Sequence, residues 1–114
     1  MRYVGIFQLL FCLVLSPLGT LDAAAGERSS SRIKGKALLE DYCGRCHAVD
    51  STDESPLKKA PPLREIYRNF PIERLEFELS EGIGSKHQEM PQIQFSTEQI
   101  AAILSHLATL VDAD

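Results

Sequence analysis

The chain has 114 residues, with 12 Lys or Arg against 16 Asp or Glu and a formal charge of −4. That length holds one domain, and the acidic balance argues against nucleic acid as a partner, because binding phosphates needs a basic face. With only three cysteines, Cys12, Cys43 and Cys46, a multiply cross-linked scaffold is also excluded.

Residues 1–25 read as a secretory signal peptide. Met1-Arg2 precedes an apolar run over 3–15, and Ala23-Ala24-Ala25 forms a small-residue cleavage site before Gly26. Cleavage after Ala25 leaves a single domain, 26–114, and removes Cys12 with the leader. Arg2 and Asp22 cancel, so the charge of 26–114 is also −4. The competing reading is an uncleaved signal anchor. A spanning helix needs about 20 apolar residues, and Gln8 and Pro17 interrupt the apolar stretch here. Membrane contact is expected only if the leader is retained or through a membrane-bound partner.

The first helix is predicted over 33–42, with Leu38, Leu39 and Tyr42 at neighbouring helical positions. Gly35 inside it costs about 1 kcal/mol against Ala, a cost often kept where another helix must approach closely. The helix leads into Cys43-Gly44-Arg45-Cys46-His47. Two thiols three positions apart, followed at once by an imidazole, form the attachment signature of haem c. In a tight turn both sulfurs reach the two vinyl groups along one edge of a porphyrin, and the next residue places an imidazole nitrogen on the iron.

Three other readings of the motif compete. A thioredoxin-like dithiol opens a helix after a buried strand, whereas this pair closes an amphipathic helix. A structural zinc site wants four ligands, and only His87 and His106 remain to join. A disulfide this local removes little chain entropy.

Beyond the motif, 50–54 and Lys58-Lys59 read as solvated loop charges. In the stretch Ala60-Pro61-Pro62-Leu63, the Pro61 carbonyl is nominated as acceptor for the second ring N–H of His47, since a ligating histidine usually donates that proton. The alternative is a rigid turn and nothing more. A short helical turn is predicted over 63–67 and a helix over 71–80, with Pro71 suited to its first turn and Leu75 and Leu79 on one face.

After Gly82-Ile83-Gly84 comes Met90, the single methionine besides the initiator, 43 positions after His47. A thioether opposite a histidine is the ligand set of electron-transfer cytochromes, and Pro91 biases Met90 toward extended backbone. The plain alternative is a flexible core filler, and His87 is a rival ligand. The last helix is capped by Ser96 with Gln99 in a capping-box pattern, and Ile100, Ile103, Leu104, Leu107 and Val111 form its buried stripe. His106 reads as a packed or partly exposed residue of that helix. No stretch alternates with period two, so the fold class is all-α, three to four helices around one bound group.

With Gly35, Tyr42-Cys43-Gly44-Arg45-Cys46-His47, Pro61-Pro62-Leu63, Met90-Pro91 and a terminal apolar helix in this order, the chain resembles the bacterial class I c-type cytochromes over nearly all of 33–111. The resemblance implies a cytochrome c fold with its terminal helices crossing near Gly35 and one haem per chain. It implies thioethers at Cys43 and Cys46, iron ligands at His47 and Met90, a carbonyl partner at Pro61, and Leu63 against the ring. It departs at His106, where the family usually carries an aromatic. A one-electron carrier in the periplasm follows as the expected function, with redox proteins as donor and acceptor, no small-molecule substrate and no catalytic residue. Alternatives are a haem c subunit of a larger oxidoreductase, or a haem enzyme or sensor with an open iron position.

Overall fold

The computed structural model describes residues 20–82 and 89–111. Its elements are α1 (Thr20–Tyr42), α2 (Leu63–Asn69), α3 (Ile72–Glu81) and α4 (Thr97–Thr109), and no strand occurs among the described residues. Every element of the described residues is helical, as the periodicity predicts. No helix of the described residues is long and apolar enough to cross a membrane.

α1 starts well before the predicted 33. Residues 23–30 are exposed along it, so no apolar stripe marks that half, and good helix formers such as Ala23, Ala24, Ala25 and Glu27 carry it. α1 passes through the Ala25–Gly26 bond at which cleavage is expected. Its C-terminal half does the packing, and the α1–α4 pair makes most of the contact between helices.

The crossing point of that pair is Gly35. A Cβ built there would lie 1.9 Å from the Ala102 carbonyl oxygen and 2.5 Å from its carbon. The two backbones touch because no side chain separates them. Leu39, one turn on, is buried, and Ile103 on α4 is wholly inaccessible. Burying side chains of this size stabilises by about 1.5–3 kcal/mol each.

α4 opens with the predicted capping box. Gln99 N–H donates to Ser96 Oγ at 3.3 Å, and Ser96 N–H donates to Gln99 Oε1 at 2.9 Å. Phe95 before the cap and Ile100 after it are both buried in the same core, the positions of a hydrophobic staple. α2 and α3 follow Pro62 and Pro71, which lie just outside the helices as caps. Leu63, Leu75 and Leu79 carry their buried faces onto α4 far more sparsely than α1 does. α3 stops at Gly82, whose φ of 100° lies in the left-handed region that favours glycine. Phe95 N–H donates to the Leu79 carbonyl at 3.0 Å, so the chain returns along α3 to reach α4.

Candidate functional site

The Cys43–His47 turn grows out of the end of α1. Cys43 and Gly44 N–H both donate to the Leu39 carbonyl, at 2.8 and 2.9 Å, and His47 N–H donates to the Cys43 carbonyl at 2.9 Å. These bonds use the carbonyls left over at a helix C-terminus and hold the two cysteines on one compact turn. Gly44 is required there, because a Cβ would fall 2.6 Å from the Glu40 carbonyl oxygen. Both thiols are free and half-buried.

The turn forms one part of a cleft of about 220 Å³. Tyr42, Cys43, Cys46 and His47 line it from the turn, and Met90, Pro91, Ile93 and Phe95 from the segment before α4. Two stretches of chain more than 40 positions apart thus bring both cysteines, an imidazole and a thioether into one cavity. The Tyr42 and Phe95 rings meet edge to face, with centroids 5.5 Å apart. Phe95 is buried and Tyr42 is 47% exposed, so this pair reaches from the core to the surface.

His47 is buried, and its Nδ1 lies 2.7 Å from the Pro61 carbonyl oxygen. A carbonyl only accepts, so Nδ1 carries the proton. In the neutral ring that leaves Nε2 with a free lone pair, the form that binds a metal. Neighbouring bonds tie the two stretches of chain together: Leu63 N–H donates to the Ala48 carbonyl at 3.0 Å, and Ala48 N–H donates to Ser55 Oγ at 3.0 Å. Pro61 itself is exposed and reaches the site only through its carbonyl. Leu63 is buried in the hydrophobic core and is not one of the cleft-lining side chains named above.

Electrostatics separate the readings of the cysteine pair. Burial, with a smaller contribution from Cys46, pushes the Cys43 thiol up to about 11. The pair also follows the C-terminus of α1, where the helix dipole disfavours an anion. A redox dithiol needs the opposite, a lowered thiol pKa at a helix N-terminus. An uncharged thioether at this place has no such cost. Among the described residues no three His, Cys, Asp or Glu side chains form a metal-holding group, whereas structural zinc takes four ligands.

The rival ligand His87 lies outside the described residues. The loop charges stay solvated, though two of them pair: Asp50 with Lys36 at 2.8 Å, and Lys59 with Glu89 at 2.5 Å. The last pair joins the loop before Pro61 to the residue before Met90. Sequence reasoning passed over Phe95 and Ser55. The staple pattern around Ser96 signals the first, and nothing in the sequence marks the second. No protein-family model, curated protein or solved structure matches the chain.

Proposed function

We propose that the chain is a monohaem c-type cytochrome that carries single electrons, with the cytochrome c fold that its motif order implies. The observation that carries this reading is the gathering of Cys43, Cys46, His47 and Met90 about one cleft, with the His47 Nδ1 proton committed to Pro61. The residues fit the group in donor type as well as in number. Two thiols suit thioether attachment, and an imidazole with a free Nε2 and a soft thioether would supply the ligands to the iron.

Bound there, the group supplies an iron couple that takes up and releases one electron. The chain's own residues do the rest. Cys43 and Cys46 would fix the macrocycle to the turn, each thiol adding across a vinyl group. His47 is held in one tautomer and one orientation by the Pro61 carbonyl, which also raises its basicity as a ligand. Met90 would present a weak, soft donor, and the buried Phe95 and half-buried Ile93 would lower the local polarity. No residue acts as acid, base or nucleophile. Export to the periplasm and brief encounters with redox proteins through a small interface complete the proposal.

Mass spectrometry of the chain matured in a host able to attach the group tests this first. The expected result is the mass of residues 26–114 plus one macrocycle, and the bare chain mass with free thiols overturns it. A weak red absorption band of the ferric protein, from sulfur-to-iron charge transfer, should be lost in Met90→Ala. Survival of the band there would rule out Met90 as its source, and its absence from the unsubstituted protein would assign the ligand elsewhere, with His87 next in line.

A further inference from the structure

We propose that His106 is a positioning residue for His47, acting through a hydrogen bond to the Val49 carbonyl; this rests on the haem reading above. His106 is buried on α4, and its Nε2 lies 3.0 Å from the Val49 carbonyl oxygen, 57 positions away in sequence. Because the acceptor is a carbonyl, Nε2 is the protonated nitrogen.

The segment 46–49 has no regular secondary structure, so its polar backbone groups must find partners elsewhere in the fold. The Cys46 carbonyl accepts from Leu57 N–H at 3.2 Å, and the Ala48 carbonyl from Leu63 N–H at 3.0 Å. Ala48 N–H is taken by Ser55, and the Val49 carbonyl by His106. Three of these four bonds come from the loop and helix start at 55–63. The fourth ties the segment to α4, and the Cys46 and His47 N–H groups donate back to the Cys43 carbonyl just after α1, at 3.1 and 2.9 Å.

His47 is therefore followed directly by two pinned carbonyls, that of Ala48 held by Leu63 and that of Val49 by His106. The Leu63 pin also carries Pro61, whose carbonyl receives the His47 Nδ1 proton. With the Val49 end released, the 2.7 Å contact between His47 and Pro61 loses its fixed geometry. His106 thus adds a bond that this chain uses to hold its proximal imidazole.

Two variants separate this role from simple packing. His106→Phe keeps the bulk and removes the donor, and His106→Gln restores an amide N–H at a similar reach. In His106→Phe, exchange of the His47 Nδ1 proton, followed by NMR of the reduced protein, should quicken about ten-fold, the factor that corresponds to about 1.4 kcal/mol. The reduction potential should rise, because a weaker Nδ1–H bond makes His47 a poorer donor to ferric iron. His106→Gln should bring both values back toward the unsubstituted protein. A Phe variant that is less stable yet unchanged in exchange and potential overturns the proposal and leaves His106 a packing residue. Should neither variant fold, long-range 1H–15N correlation in the unsubstituted protein decides: the Nε2–H tautomer supports the bond, and the Nδ1–H tautomer overturns it. A bare-chain mass in the same sample marks failure of the haem reading, whereas the wrong tautomer at the loaded mass marks failure of this inference alone.

Discussion

At the scale of single residues, Cys43 gives the sharpest handle on the chemistry of the turn. Its thiol is raised from 9.0 to about 11, chiefly by burial. In the bare chain the folded state therefore keeps a proton that the unfolded state releases above pH 9. Stability from this group is fully present below pH 9 and is lost as pH rises toward 11, amounting to at most about 3 kcal/mol at 1.36 kcal/mol per unit. Urea unfolding of the bare chain between pH 8 and 11 should show that loss in excess of Cys43→Ala, which corrects for the titration of Tyr and Lys. Parallel curves for the two proteins would mean that Cys43 is not buried as described. The haem-loaded protein has no thiol to titrate, so its curve should lack the excess as well. The same residue shows what the sequence makes legible: the motif spacing carries the proposed attachment chemistry, but the environment that raises the thiol depends on where α1 ends and what packs over it.

At the scale of elements, the crossing of α1 and α4 turns on Gly35, and its test has a sign that helix propensity alone would reverse. Alanine is the better helix former by about 1 kcal/mol, so a solvent-facing glycine would gain stability on substitution. Here the new methyl would meet backbone, 1.9 Å from the Ala102 oxygen, and backbone cannot rotate away. The helices must separate, exposing Leu39 and Ile103, and overpacking of this kind costs about 1–3 kcal/mol or more. Gly35→Ala should therefore lower the urea midpoint, with a net loss of about 2 kcal/mol. A midpoint that holds or rises would place the crossing elsewhere. α4 was legible from its cap and stripe because both signals are local and strong. The first half of α1 was not, since a helix with no buried face leaves no periodicity to read. The bond between His106 and Val49 was equally hidden, because a pairing across 57 positions has no local trace.

At the scale of the whole molecule, the order of the motifs is readable while the balance of packing is not. The sequence marks four helical stretches without saying that α1 and α4 make most of the contact and that α2 and α3 rest only lightly on α4. The cleft lies among the turn after α1 and the segment before α4, where a denser domain would have side chains. A domain this small has little core to spare, so a group filling the cleft would bury apolar surface on Ile93, Phe95 and the turn at once. In the bare chain, amides of the α1–α4 crossing, Leu39 and Ile103 among them, should be the most protected from exchange. Those of 43–49 and 89–95 should open at far lower free energy. Loading should draw the two sets together and raise the urea m-value, since more surface would then be exposed in one cooperative step. Equal m-values and equal protection patterns for bare and loaded chains would show that the cleft is not where the missing part of the core belongs.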